Sequence, residues 1–452
     1  MRSETMSRPM ELTHHIYPRI LPHFYAWTKL YGKIFLTWYG PKAQLIVTEP
    51  ELIKEILSDK DGEYLKPKMD RYAKKIVGDG LVVSNGEKWA KVRKIANHSF
   101  HGESLKGMLP AMIASAEMML ERWRHHDGKE LEVFEEFKHL TAEVISRTAF
   151  GSSYLEGKNI FDMITMLGFI MYRNDLKISI PGIGKYFKSH DDIESDKIEQ
   201  TIRDSIIGMI KRRQDMVMTG DAESFGSDFL GSLMKANHEA DKSNKISVDN
   251  IIDECKVFYL AGHETTNGLL AWTILLLAIH TDWQEKARDE VLELFGQENP
   301  NPEGLTKLKI MSMILNETLR LYTPAVSLGR KVEREVRLGK LVVPANVELY
   351  YSPLSLHHDP EIWGKDAHLF KPERFGEGVA KATKNNPMAF IPFGYGPRIC
   401  VGLNFAMSEA KIALSMILQR YKFTLSPTYR HSPFPFFTLR PQHGVQIILQ
   451  QL

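Results

Sequence analysis

A mainly α fold with a small β portion is predicted by three features of the 452-residue sequence. Apolar residues recur at spacings of three and four through most of the chain, the mark of helices that bury one face. One helical span, from a capping Ser247 to about His280, is unusually long for a globular core. Runs with strand character are short and lie toward the two ends of the chain.

The elements follow in order. Lys33 to Tyr39 and Ala43 to Val47 flank Gly40-Pro41 and read as a hairpin. Helices are expected around Glu49 to Leu57, Leu105 to His125, Phe134 to Phe150 and Asp192 to Met216, while the polar stretch from Asp221 to Lys245 reads as a surface connection. After the long span, Asp282 with Glu285 makes a capping-box pattern for a helix that Gly296 stops. Thr306 opens a further helix that Pro324 ends from outside. Beyond Glu333, the segments Val336 to Val343, Val347 to Tyr351 and Val445 to Leu449 read as short strands. No internal repeat or low-complexity tract is visible.

Composition narrows the function classes. With 43% hydrophobic and 25% charged residues the chain is globular, and a net charge of +2 argues against nucleic-acid binding through a basic excess. Its length calls for two domains or one large elaborated one. Two cysteines, Cys255 and Cys400, form no disulfide framework, so reducing surroundings are expected. The longest strongly apolar run, Gly268 to Ile279, is well short of the ~20 residues a bilayer needs, and the polar, proline-broken start from Met1 to Arg19 is no signal peptide.

Chemistry concentrates in Phe393-Gly394-Tyr395-Gly396-Pro397-Arg398-Ile399-Cys400-Val401-Gly402. Its glycines let backbone approach a flat ligand, Arg398 brings positive charge, and a helix from Leu403 to Tyr421 turns its unpaired N–H groups toward the thiol. Such surroundings favour a thiolate. In the long helix, Ala261-Gly262-His263-Glu264-Thr265-Thr266 places small residues, an acid and a hydroxyl at mid-span, where glycine costs up to ~1 kcal/mol against alanine. A flat cofactor lying on the helix would repay that cost, as would a tight helix crossing. Glu317 and Arg320 stand three apart on one helix face. Pro372-Glu373-Arg374-Phe375 follows. The adjacent His357-His358 before Asp359-Pro360 read as a solvated turn.

These motifs, in this order, resemble those of the cytochrome P450 family over nearly the whole chain, from about Tyr25 to Ile448, so residues 1–452 are expected to form a single catalytic domain with the P450 fold. The detail of the Trp89 and Ala261 segments resembles the plant clan of hormone, terpenoid and fatty-acid hydroxylases. The resemblance implies haem b (iron protoporphyrin IX) with Cys400 as the iron ligand and Phe393 beside it. It implies propionate contacts for Trp89, Arg93, Arg330 and Arg398, room over the iron beside Ala261 and Gly262, and proton delivery through Thr265 and Glu264. Glu317, Arg320 and Arg374 become a buried network that fixes the cysteine loop.

By the same resemblance, apolar substrate contacts fall near Met69 to Val82, Phe258 to Thr265, Ala325 to Leu328 and Phe436 to Leu439. The implied reaction inserts one oxygen atom of O2 into a C–H bond of a small hydrophobic molecule. No nucleotide-binding glycine fingerprint stands in a strand-to-helix setting, so an NADPH-cytochrome P450 reductase is the implied electron donor, with Arg420 and Lys422 as candidate contacts. Such enzymes sit on the cytosolic face of the endoplasmic reticulum membrane; an N-terminal anchor is not visible here, and a monomer is expected. Rival readings are an enzyme that rearranges peroxides and a haem-binding protein or truncated paralogue without turnover.

Overall fold

The computed structural model describes residues 9–174, 188–239 and 245–452. Its longer helices are α1 (Pro22–Tyr31), α2 (Pro50–Leu57), α3 (Arg71–Val77), α4 (Gly86–Phe100), α5 (Gly102–Trp123), α6 (Val133–Phe150), α7 (Tyr154–Asn174), α8 (His190–Thr219), α9 (Phe229–Asn237), α10 (Val248–Ile279), α11 (Thr281–Phe295), α12 (Pro302–Lys307), α13 (Lys309–Leu321) and α14 (Leu403–Leu418). The strands are β1 (Ile34–Tyr39), β2 (Lys42–Val47), β3 (Glu130–Glu132), β4 (Leu328–Lys331), β5 (Val336–Leu338), β6 (Leu341–Val343), β7 (Glu348–Tyr351), β8 (Tyr421–Leu425), β9 (Pro433–Pro435), β10 (Leu439–Pro441) and β11 (Gln446–Gln451). The mainly α class with a small β portion is the class observed.

Two compact units share these elements: a larger one made of residues up to Leu65, Met112–Leu140 and Glu264–Leu452, and a smaller one made of Lys66–Ala111 and Thr141–His263. In the larger unit, β1 and β2 form the expected hairpin across Gly40, whose φ of 58° suits a residue without Cβ. The sheet continues through parallel β7 to antiparallel β4. One face of it meets α2, where Val47, Ile53, Ile56, Val332, Leu349 and Ile391 form a core cluster. β3, β11 and β8 make a second small sheet. The smaller unit gathers α3, α4, α7, α8, α9 and α10 as far as His263 around aromatic contacts. Phe229 lies 4.0 Å from Phe258, and Phe150 stacks on Tyr259 at 4.1 Å.

The long helix starts where the sequence places it, with a reciprocal cap. Ser247 Oγ accepts the Asn250 N–H and Asn250 Oδ1 accepts the Ser247 N–H, each at 3.1 Å. Other local expectations are corrected. Within the stretch from Asp221 to Lys245, the residues Phe229–Asn237 form a helix capped by Asp228, with Phe229, Leu230 and Leu233 fully buried; residues 240–244 lie outside the described residues. Average polarity concealed a short apolar stripe. Asp282 lies inside α11, whose N-cap position is His280. The Thr306 start is divided between α12, capped by Asn301, and α13. Val336 to Val343 is a tight β5–β6 hairpin turning at Gly339, φ 56°. His357 and His358 are buried rather than solvated: His357 Nε2 accepts the Ile391 N–H at 3.0 Å, and His358 Nε2 lies 2.9 Å from the Leu321 carbonyl.

Candidate active site

The cysteine loop is shaped by backbone geometry. Gly394 and Gly396 have φ of 76° and 73°, a region closed to most side chains, and a Cβ on Gly396 would lie 2.1 Å from the Leu57 carbonyl oxygen at the end of α2. The Cys400 N–H donates to the Phe393 carbonyl at 2.8 Å and the Ile399 N–H to the Gly396 carbonyl at 3.1 Å, closing the loop on itself around a single turn at Gly396–Arg398. Three residues after the cysteine, α14 begins with Gly402 as its N-cap. Cys400 is exposed, whereas Cys255 is wholly buried, with its thiol pushed well up by that burial. One sulfur is inert packing; the other is presented.

Mid-span in α10 the burial pattern breaks. Tyr259, His263, Glu264 and Thr266 are covered, yet Ala261 is exposed and Thr265, one turn on, is half-buried. Ala261 is thereby the one exposed position between Ile251 and Ile279 of the helix. Gly262 has a packing reason of its own, since a Cβ there would come within 2.6 Å of Ile145. His263 Nδ1 lies 2.8 Å from the Thr141 hydroxyl. Glu264 is buried with Oε2 lacking a hydrogen-bond partner, and that burial raises its proton affinity against the opposing pull of Arg440.

Glu317 and Arg320 are fully buried and doubly hydrogen-bonded, Nε to Oε2 and Nη2 to Oε1, both at 2.7 Å. The remaining donors of Arg320 reach the carbonyls of His357, Ala367 and Leu369. Glu317 Oε1 also accepts the Lys371 N–H at 2.9 Å. Arg374 joins more loosely, 3.6 Å from Glu317, and donates to the carbonyls of Trp363 and Asp366. Lys371 and Arg374 hold the Asp366 carboxyl well below its ordinary range.

The candidate cations stand on separate elements. Arg330 is buried in β4, opposite Leu349 of β7, and donates to the Gly329 carbonyl at 3.0 Å. Arg398 is half-buried in the loop itself. In the smaller unit, Trp89 and Arg93 share α4 one turn apart, and Arg93 Nε donates to Asn97 at 2.9 Å. Sequence reasoning stopped one residue short of Arg440, whose guanidinium lies 3.8 Å from Glu264 Oε1; only its place beside the apolar Phe436 to Leu439 segment marked it. Asp366, Lys371 and His357 were missed in the Glu317 network because they contribute from segments far along the chain.

Comparisons with known proteins identify the family. The Cytochrome P450 family model matches residues 17–449. Cytochrome P450 CYP749A22 of Panax ginseng is 60% identical over all of this chain and 86% of its own length. The 11-oxo-beta-amyrin 30-oxidase of Glycyrrhiza uralensis is 46% identical over 96% of this chain and 84% of its own. Among solved structures, retinoic acid bound cyanobacterial CYP120A1 shares the fold at TM-score 0.83, covering 97% of this chain and 96% of that one at 24% identity. An exposed cysteine in a glycine-built loop, a buried acid beside a threonine in the longest helix, and a match along almost the whole sequence lead to one conclusion: the chain belongs to the cytochrome P450 family and is a haem-thiolate monooxygenase.

Proposed function

We propose that the enzyme hydroxylates a terpenoid, with Cys400 as the thiolate that holds the iron of haem b and an NADPH-cytochrome P450 reductase as electron donor. The observation that carries the assignment is the exposed Cys400 thiol on its left-handed glycine loop. The residues fit the group. Cys400 and Ala261 are exposed and Thr265 is half-buried, which leaves surface on both elements open to a ligand. When bound, haem supplies the oxidation of a C–H bond by dioxygen.

The chain's own residues bind, orient and supply protons. The loop N–H groups and the start of α14 stabilise negative charge on the sulfur. Trp89, Arg93, Arg330 and Arg398 are the proposed partners of the propionates. Glu264, buried and prone to hold a proton, passes it to the Thr265 hydroxyl one residue on, and Ala261 leaves room for a small reactant. The Glu317–Arg320–Arg374 network holds the loop still. Residues 1–452 would act together as one catalytic domain.

The terpenoid class rests on the oxidase of Glycyrrhiza uralensis named above. Seating on the endoplasmic reticulum membrane surface is supported by Leu30, Tyr31 and Trp38, which are 69%, 62% and 64% exposed, an aromatic and apolar set suited to a lipid interface. None of the described helices is long and apolar enough to cross a bilayer. Arg420 and Lys422 are the proposed electron-donor contacts, and Lys422 pairs with Glu285 at 3.3 Å on an exposed surface.

Titrating the haem-loaded protein with a panel of terpenoids, steroids and fatty acids, then adding reductase and NADPH, tests the substrate class. Absorption shifts and oxygen-dependent products are expected with terpenoids alone. A Cys400→Ser protein should lose the ferrous carbon monoxide band of thiolate ligation, and an unchanged band would refute that role.

A further inference from the structure

We propose that Tyr322, with Trp272 and His14, forms an electron relay that drains oxidising equivalents left at the haem when no substrate accepts them, an inference that rests on haem being held at Cys400. All three residues belong to the larger unit. Trp272 and Tyr322 are fully buried and lie ring on ring, with centroids 4.3 Å apart and planes at 15°. Trp272 stands seven residues after Thr265 on α10, so it lies on the same stripe of the helix, about 10 Å further along. The stack therefore begins two turns from the threonine proposed to serve the haem.

What suits Tyr322 to give up an electron is the base on its hydroxyl. His14 Nδ1 lies 2.8 Å from Tyr322 Oη and is the hydrogen-bond partner of that hydroxyl among the described residues. Were the phenol to accept here, its own proton would be orphaned in a fully buried place, so Tyr322 donates and Nδ1 accepts. Burial, with His431, His280, Arg320 and His368 adding to it, lowers the His14 pKa from 6.5 to about 3, which keeps the ring neutral and Nδ1 open. An oxidised phenol is a strong acid, and even so weak a base takes its proton. A second phenol and imidazole pair continues outward. His431 Nε2 lies 3.1 Å from the Thr13 carbonyl, which can only accept, so Nε2 of the neutral ring carries the proton and Nδ1 accepts the hydroxyl of half-buried Tyr429 at 2.8 Å. The His431 ring stands 6.3 Å from that of Tyr322 and 5.9 Å from that of Tyr429, bridging the two. Trp272 passes the electron alone, its Nε1–H being held by the Leu439 carbonyl at 3.0 Å.

In each step one electron leaves Tyr322 through Trp272, the phenol O–H bond breaks, and its proton forms an N–H bond on His14. An electron returned through Tyr429 from a thiol of the reducing surroundings lets His14 give that proton back. Two such steps reduce one hydrogen peroxide to two waters and join two thiols as a disulfide, the two thiol protons replacing the two consumed at the haem.

Electron paramagnetic resonance of the haem-loaded full chain, frozen after mixing with hydrogen peroxide in the absence of substrate, tests this by a spectrum rather than by turnover. Wild type should show an organic radical whose signal narrows when the protein carries ring-deuterated tyrosine. The signal should be lost in Tyr322→Phe, which keeps the ring stacked on Trp272. His14→Gln, which removes the base and leaves the ring pair, should lose it too and provides a reading if Tyr322→Phe misfolds. A wild-type signal in either variant, or no tyrosine radical in wild type, overturns the relay. Peroxide should also bleach the haem faster in Tyr322→Phe than in wild type, and equal bleaching would overturn the draining role. The ferrous carbon monoxide band of the same samples keeps the two readings apart: its loss in wild type overturns the Cys400 assignment and the relay with it, whereas an intact band beside a missing radical overturns the relay alone.

Discussion

Glu317 and Glu264 are both carboxylates buried in helices of the larger unit, and they are treated in opposite ways. Glu317 is fully covered and bonded on both oxygens to Arg320, with the Lys371 N–H added on Oε1. Glu264 has one distant cation and an oxygen with no hydrogen-bond partner. A buried charge with both oxygens engaged is fixed in one state and serves as scaffolding, whereas an under-engaged acid keeps two protonation states within reach. The difference separates the part of the molecule that holds the cysteine loop from the part proposed to move a proton.

Breaking the satisfied site should have the largest effect. Arg320→Leu would strand the Glu317 charge and release three backbone carbonyls, so a loss of about 3–5 kcal/mol is expected, read as a fall in the urea midpoint. Glu317→Gln should fall in the same direction by a smaller step. A midpoint within error of wild type for both would remove the scaffold role.

A third buried carboxylate sharpens the contrast. Glu254, early in α10, accepts the Leu81 N–H at 3.0 Å on Oε2, while Oε1 has no hydrogen-bond partner, and burial raises its pKa from 4.5 to about 8. The native state therefore keeps a proton that the unfolded chain gives up above about 4.5. Stability linked to this group is complete below that value and is lost as pH climbs toward about 8, by at most about 1.4 kcal/mol per pH unit. Glu254→Gln preserves an acceptor for Leu81 and cannot ionise, so it should flatten this slope. Denaturation midpoints at pH 5 and pH 8 are the check, with the variant gaining on wild type at the higher pH.

Smaller again is the effect expected at Glu290. From α11 its carboxylate accepts the N–H groups of Lys309, Ile310 and Met311 at 2.6, 2.7 and 2.9 Å, capping α13, the helix that carries Glu317 and Arg320. Glu290→Ala should cost about 1–2 kcal/mol, the range of a lost N-cap strengthened by charge at a helix start. Thermal unfolding would show it, and Glu290→Gln should recover part of the loss.

What was legible in the sequence divides along the same line. The glycine loop around Cys400, the Ser247 start of α10 and the spacing of Glu317 and Arg320 are contiguous patterns, and local backbone physics alone constrains them. Partners supplied by distant segments left no local trace: Glu290 as a cap, the His357 carbonyl under Arg320, and Arg440 facing Glu264. The Phe229 helix and the split hairpin at Gly339 were obscured for a simpler reason, their apolar patterns being shorter than the window that averages over them.

The smallest effect on stability should come from Glu264→Gln, the substitution whose meaning depends most on the comparison. Glutamine matches the shape of the acid, the orphaned Oε2 offers no hydrogen bond to lose, and a contact at 3.8 Å to a partly exposed guanidinium contributes little. The unfolding midpoint should therefore stay within about 1 kcal/mol of wild type, well inside the loss at Arg320. If the same exchange of acid for amide proved as damaging here as at Glu317, the carboxylate of Glu264 would be structural, and the line drawn between a fixed charge and a mobile proton would fail.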